Sequence, residues 1–511
     1  MDRKILIGLI ISTNYIKQIR GVFDIALLES ATARLMAGWC IVYFDKYEKA
    51  PFRDIKGLFQ DALMEGSITD DIAEEIEEEI LPSLNDEYES IGNFNVNYLI
   101  DKTNQWINQK NLEQFNEKVE AYTERGQVEE AQKAISDFKG TVIEETALSL
   151  HDRTTLAKIE HAFNNTYQTV IEYPGALGEF WNEHMIRGGF VGITAPEKRG
   201  KTFQLLDMMI RGVKQKAKVA FVQAGDMTEA QQLKRICIYL AKKSDKPQYC
   251  GEQYIPIKDC IHNQLDTCTK RIRESDFGIF EMSEEDLKKE ITFDLLKEAY
   301  EDNPGYNACH NCSEFKQNRW GTPYLKKINV KGPLEVKEAL QKYENFFIKN
   351  KRYSKLASYP NGTLSISMLN SLLDTWEMQE DFVPDVLIID YADLMFVPNT
   401  EFRHGQNDIW KALRAISQKN HCLVVTPTQA DAASYKQDTL TLTNFSEDKR
   451  KYAHVTAMFG LNQDKDGREK KIGLLRINKL IIREGDNDNN QQVTVLQKLA
   501  IGRPVLGSFW T

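Results

Sequence analysis

The stretch "GGFVGITAPEKRGKTFQLLDMMI", from Gly188 to Ile210, constrains the fold more than any other part of the chain. Its centre runs Ala195, Pro196, Glu197, Lys198, Arg199, Gly200, Lys201, Thr202. That is the phosphate-cradling pattern G-x-x-x-x-G-K-[ST] with alanine in place of the first glycine. Average residue frequencies give such a match about a 4% chance of arising somewhere in a chain this long. The flanks lower that chance further. "GFVGIT" ahead of the loop is short, apolar and partly β-branched, as a buried strand is, and behind it Phe203, Leu206, Met209 and Ile210 recur at helical spacing. A strand passing through a glycine-bearing loop into a helix is what triphosphate binding requires. The backbone N–H groups and the positive helix end hold phosphate oxygens, Lys201 reaches the outer phosphates, and Thr202 binds Mg²⁺. Alanine serves at the first position as long as its φ stays negative, so only Gly200 is indispensable. The expectation is a nucleoside triphosphate site.

Composition fits such a protein. The chain has 511 residues, 27% charged and 42% hydrophobic, enough for more than one domain with ample core. The apolar run "ILIGLII" near the start is too short to cross a bilayer, and "STNYIKQIR" after it lacks a small-residue cleavage pattern. A cytoplasmic protein with no membrane partner is expected, its eight cysteines thiols or metal ligands before disulfides. The net charge of −10 argues against a generally DNA-coating surface but leaves room for nucleic acid in a locally basic channel.

Three parts follow from the patterning. Residues 1–125 alternate apolar and charged positions at helical spacing, as in "FDIALLESATARLMAGWCIVYF", and read as a helical interaction domain. Residues 126–172 read as a polar linker with an amphipathic helix ending near Tyr173-Pro174-Gly175. From 173 to 511 strands and helices alternate: "VGIT", "KVAFVQA", "DVLIIDY", "HCLVVTP" and "IGLLRINKLII". Such alternation implies an α/β fold with an open, mainly parallel sheet covered by helices.

Each later strand ends in a residue suited to nucleotide chemistry. "VPDVLIIDYADLM" closes on Asp390, where a carboxylate can hold Mg²⁺ beside a phosphate loop; alone it would read as a loop aspartate. "KVAFVQAGDMTEAQQL" sets Asp226 after a strand and before a helix, either orienting the attacking water or capping the helix. "HCLVVTPTQADAASY" ends near Gln429, whose amide could sense the γ-phosphate or simply lie on the surface.

The order "GGFVGITAPEKRGKT", "VAFVQAGDM", "VLIIDYADLM", "LVVTPTQAD" resembles the replicative DNA helicases of the DnaB type, particularly the divergent versions carried by bacteriophages. The resemblance covers the chain from about Tyr173 onward and implies a RecA-like P-loop NTPase core that uses ATP and Mg²⁺. It implicates Gly200, Lys201 and Thr202 in the phosphate loop and Asp390 at the metal. The family's catalytic glutamate falls on Asp226, with Glu229 one turn later as the rival. "GLLRINKLIIREGDN" matches where the family's ring supplies cations from a neighbouring subunit, which points to Lys479 and Arg483. A homohexamer around single-stranded DNA at the replication fork is implied, with a primase and a helicase loader as partners of the helical N-terminal domain. DNA contacts would fall on two loops, one offering Arg403 and the other Lys436, Lys449, Arg450 and Lys451, although each is equally an exposed loop charge. The rival readings are a strand-exchange ATPase that forms filaments and a non-enzymatic, zinc-stapled loader subunit.

Residues 246–329 exceed what the strands and crossovers between Asp226 and Asp390 need, and five of the eight cysteines gather there. "NACHNCSEF" holds a Cys-x-x-Cys knuckle and "DCIHNQLDTC" a wider pair. Cys260, Cys268, Cys309 and Cys312 could enclose a tetrahedral structural Zn²⁺ and staple an insertion too polar for a core of its own, with reduced thiols as the alternative. Cys40, Cys237 and Cys422 sit in apolar patterns and read as core.

Overall fold

The computed structural model describes residues 1–82, 95–125, 168–397, 402–444, 449–483 and 491–511, with scattered positions between. The chain divides into two compact units, Met1–Thr166 and Tyr167–Thr511.

The first unit is helical among its described residues, with helices at Asp2–Ile11, Thr13–Ile19, Ala31–Tyr47, Ile55–Met64, Asp70–Glu75 and Val96–Glu124. "ILIGLII" lies in the first helix with Ile5 through Ile11 all buried in the unit's core. Gly8 makes this possible. A Cβ there would come within 2.7 Å of Leu99 and Tyr15, and the bare backbone lets both pack against the helix. The 126–172 linker lies mostly outside the described residues. Residues 168–174 are not helical, and a helix begins, rather than ends, at this point, running Gly175–Trp181 after Pro174.

The second unit is an α/β sandwich. Its strands are β1 (Phe190–Ala195), β2 (Val219–Gln223), β3 (Gly251–Cys260), β4 (Gly321–Val330), β5 (Ser354–Ser358), β6 (Val386–Asp390), β7 (Leu423–Gln429), β8 (Ala457–Asn462), β9 (Leu474–Ile482), β10 (Gln492–Lys498) and β11 (Arg503–Trp510). Nine of them form one sheet in the order β11-β10-β9-β8-β1-β7-β6-β2-β5. From β8 to β5 every neighbouring pair is parallel, as expected of a mainly parallel sheet. The other three strands, β9, β10 and β11, meander antiparallel from β8, within a sheet that is still mainly parallel. A short connection through the helix Arg468–Ile472 forces the reversal.

Alternate residues of the central strands enter opposite layers. Val191, Ile193, Phe221 and Ile388 pack with Leu206, Met209, Ile210 and Val213 of the helix Lys201–Lys214. On the other face Phe190, Val222, Leu387 and Ile389 pack with Trp410 and Leu413 of the helix Phe402–Lys419, and with Leu369 and Leu373 of Ile366–Glu380. With both faces covered, the strands read as continuous apolar runs. No helix among the described residues is long and apolar enough to cross a membrane.

The insertion is built on a separate hairpin. β3 and β4 pair antiparallel over their whole length, Gly251 opposite Val330 and Cys260 opposite Gly321, with short helices between them. Here the zinc expectation finds no support. Among the described residues no three His, Cys, Asp or Glu side chains converge as they would around a metal ion. The premise of a coreless insertion fails. Phe280, Leu287, Leu296, Tyr306 and Tyr324 form a core that continues onto Leu474, Leu496 and Phe509 of the antiparallel strands. Asp259 acts as the staple: its buried carboxylate accepts from the Tyr306 hydroxyl at 2.6 Å and from the backbone N–H groups of Cys260 at 2.7 Å and Cys309 at 2.8 Å. Cys260 and Cys309 thus join the network through their amides. Burial pushes the Cys260 thiol up to about 11. Cys268 and Cys312 lie in the same cap as free, partly exposed thiols, and Cys40 and Cys422 are buried as core.

Candidate nucleotide-binding site

The carboxyl ends of β1, β7, β6 and β2 lie side by side, and the sequence-nominated residues sit on them. Ala195 is the last residue of β1, fully buried and extended, which is why it can stand where a glycine was expected. The loop turns on Lys198 at φ +59° and Gly200 at φ +87°. A side chain at Gly200 would be strained by its φ and would also meet Leu499 at 3.0 Å. Lys201 and Thr202 then open the helix.

Lys201 folds back, its ammonium donating to the Ala195 carbonyl at 2.9 Å. Desolvation pulls it below the usual lysine value, opposed by the charges of Asp390, Asp393, Asp226 and Glu197. Asp390, 1% exposed, sits at the end of β6 and accepts a hydrogen bond from Thr202. Its Oδ2 has no hydrogen-bond partner among the described residues. Burial first, then the nearby charge of Asp226, pushes its carboxyl up to about 7. A buried carboxylate oxygen without a partner, next to a hydroxyl, suits a hard divalent cation. Mg²⁺ takes one or two protein oxygens and completes its octahedron with phosphate and water, so a larger ligand cluster is not needed. Along the same row Gln223 and Ser358, in register with Asp390 across β2 and β5, are also polar groups buried without described partners.

Asp226 is exposed after β2, and its charge acts on Lys201, Asp390 and Tyr391. It is not the helix cap that the sequence left open. Thr228 takes that role in a capping box with Gln231, and Glu229 is the first residue of the helix. Gly225 fixes the loop: any Cβ there would strike the Asn361 backbone at 2.2 Å. Gln429 lies opposite Ala195 in the ladder and donates to the Glu197 carboxylate at 3.0 Å, so its amide is in the site rather than on a remote surface. Arg199 leaves the loop in the other direction to donate to Gln463 at 3.1 Å.

Other nominated cations are placed differently. Lys451 is not a loop charge open to DNA. It is buried, 2.8 Å from Asp393 and over the Trp410 ring. Lys479 is likewise turned inward, 6% exposed, with its ammonium 3.4 Å from Glu183 and over Phe180. Both lie next to a carboxylate that the spacing of charges along the sequence could not reveal. Arg483 is exposed just past β9 and donates to the Ala453 carbonyl. Lys436 and Arg450 are exposed, Arg450 lying 3.3 Å from His404. The side chains of Arg403 and Lys449 lie outside the described residues.

Sequence reasoning missed three residues here. Asp393 bonds Lys451, Thr428 and Trp410 at once. Arg235 lies over the Phe203 ring and its charge acts on Asp390. Tyr435 accepts a hydrogen bond from the Glu197 backbone N–H at 3.0 Å. Only Asp393 carried a signal, as a second acidic residue in "DYADLM".

No protein-family model matches the chain, and no curated protein does. Solved structures similar to it include an ATPase domain that is 13% identical over 69% of this chain and 95% of that one, with a TM-score of 0.41. Another is a DnaB-like replicative helicase studied with primase, 12% identical over 98% of both chains, with a TM-score of 0.42. Both scores fall below 0.5, so what this protein does has to be read from its own side chains.

Proposed function

We propose that this chain is an ATP-driven, ring-forming replicative DNA helicase that translocates on single-stranded DNA and unwinds duplex at the fork. One observation carries the reading. Lys201, Thr202, Asp226 and the partnerless oxygen of Asp390 gather at one end of a parallel sheet, and Gln429 ties the same phosphate loop to a segment bearing exposed cations.

In this reading the loop amides from Glu197 to Thr202 hold the phosphates, and Lys201 leaves the Ala195 carbonyl for the outer ones. Thr202 and Asp390 would hold Mg²⁺, which neutralises charge on the β- and γ-phosphate oxygens. Asp226 orients the attacking water and accepts its proton. Arg483 of a neighbouring subunit spreads positive charge over the transferring phosphoryl group. Gln429, bonded to Glu197, registers whether a terminal phosphate is present and passes the change to the following loop. Lys436 and Arg450, with Arg403 and Lys449, grip DNA phosphates without regard to base, as a moving ring must. Lys451 and Lys479 are left out because their charges are already paired inside the protein. A homohexamer, the 5′-to-3′ polarity and a primase or loader at the helical first unit rest on the family resemblance.

The test is fork unwinding with ATP and Mg²⁺ on substrates carrying a 5′ or a 3′ single-stranded tail, with Lys201→Ala as the inactive control. Unwinding that needs the 5′ tail and disappears in the variant supports the reading. DNA-stimulated ATP hydrolysis without unwinding would instead favour the filament-forming strand-exchange class, and no hydrolysis at all the loader subunit.

A further inference from the structure

The phosphate loop is tethered at Glu197 from a single neighbouring segment. Gln429, the last residue of β7, takes the Glu197 side chain, and Tyr435, six residues on, takes its backbone N–H. The Glu197 carboxylate also acts on Lys201, the residue proposed to reach the outer phosphates, so both contacts fall on the residue whose charge Lys201 feels. Tyr435 is 44% exposed, so the hydrogen bond contributes more than packing to its position. The segment is held at both ends: Ser434 is bonded to Asp431 at one end, and at the other Leu440 is bonded to Asn462 while the Asp438 carbonyl accepts from Arg476. Between those anchors lies Lys436, exposed and adjacent to Tyr435.

A phenol oxygen is a neutral acceptor. A phosphate oxygen is charged, and hydrogen bonds to a charged acceptor are about twice as strong. We propose that Tyr435 is a positioning residue whose hydroxyl occupies the Glu197 amide until the terminal phosphate of a nucleoside triphosphate takes it. The exchange frees Tyr435 and shifts Lys436 with it. The inference rests on the nucleotide reading of the phosphate loop and adds to it a contact that sets the preference of the empty site for tri- over diphosphate. A diphosphate, lacking the terminal group, leaves Tyr435 where it is.

The test compares Tyr435→Phe with the parent chain in titrations of a non-hydrolysable ATP analogue and of ADP, each with Mg²⁺. Tyr452→Phe is the control, since that hydroxyl donates to the Leu442 carbonyl in the same region. Removing one competing hydrogen bond should tighten triphosphate binding about five-fold, leave ADP binding unchanged, and lower the thermal stability of the nucleotide-free protein only slightly. Without nucleotide, trypsin should cut after Lys436 faster in Tyr435→Phe than in the parent, and the triphosphate analogue should bring the parent to the same rate. Equal affinity changes for both nucleotides, or none, overturn the role of Tyr435 while sparing the site. Cleavage at Lys436 that ignores both the variant and the nucleotide overturns the coupling. Failure of the parent chain to bind either nucleotide overturns the site and this inference together.

Discussion

Asp390 and Asp226 are two carboxylates within reach of the same lysine, and their surroundings set them apart. Asp390 is enclosed in the sheet and its carboxyl titrates at about 7, well above its ordinary 3.8. With the folded value raised, the contribution of protonated Asp390 to stability is complete below about pH 4 and is lost as the pH rises through 7. In chelator-treated protein, the melting temperature of the parent should therefore drop more between about pH 6 and about pH 8 than that of Asp390→Asn. Mg²⁺ should recover part of the loss at the alkaline end in the parent alone. Parallel pH profiles for the two proteins would remove Asp390 from the account. Asp226 is exposed and free of capping duty, so it is available to handle water. Asp226→Asn should bind ATP and hydrolyse it about 10²–10⁴-fold more slowly, whereas Glu229→Gln, at the head of a helix capped by Thr228, should stay near the parent rate. A dead Glu229→Gln variant would reverse the assignment.

At the scale of elements, the phosphate loop depends on how the segments around it are fastened. Asp393 follows β6 and accepts from Thr428 on β7, Trp410 on the helix Phe402–Lys419 and Lys451 in the turn Lys449–Ala453. Four segments meet on one carboxylate, including the parts that follow both β6 and β7, where DNA contacts are proposed. The Lys451–Asp393 pair is buried, and removing one partner of such a pair leaves a charge uncompensated. Lys451→Met should cost about 3 kcal/mol in urea unfolding of the full chain, and Asp393→Asn combined with Lys451→Met should cost less than the two single losses added. Strict additivity would mean the contact is incidental. In the sequence Lys451 belongs to "DKRKY", where it is indistinguishable from a solvated loop cation. β5 was equally hidden. "SKLAS" is half-buried along its whole length at the sheet edge, so it lacks the apolar run that exposes β1, β2, β6 and β7.

For the whole molecule, the question is whether the site is complete in one chain. Arg199 turns away to Gln463, and Arg235, whose charge acts on Asp390, lies over the Phe203 ring. Arg483 itself lies beyond β9 and faces the Ala453 carbonyl. Mixing Arg483→Ala with Lys201→Ala protein should restore ATP hydrolysis above either alone, because the mixed rings of the proposed assembly would contain interfaces with both residues intact. No recovery despite verified subunit exchange would leave the neighbour without a role. What the sequence determined alone is local. The strand, the loop and the helix of the phosphate site lie within some two dozen consecutive residues, and their apolar spacing and single indispensable glycine follow from backbone geometry. Strands buried on both faces were legible for the same reason, since burial on two sides leaves an unbroken apolar run. The tertiary structure decided which polar groups face water and which face each other. Lys451 and Lys479 look like surface cations until Asp393 and Glu183 arrive from distant positions, and Tyr435 has no visible role until β7 sets it against Glu197. The clustered cysteines of the insertion suggested a metal because its residues read as too polar for a core, whereas Phe280, Leu287, Leu296, Tyr306 and Tyr324 form one that Leu474, Leu496 and Phe509 complete from the far end of the chain. Pairings over such separations depend on chain topology, and no local pattern of residues encodes that.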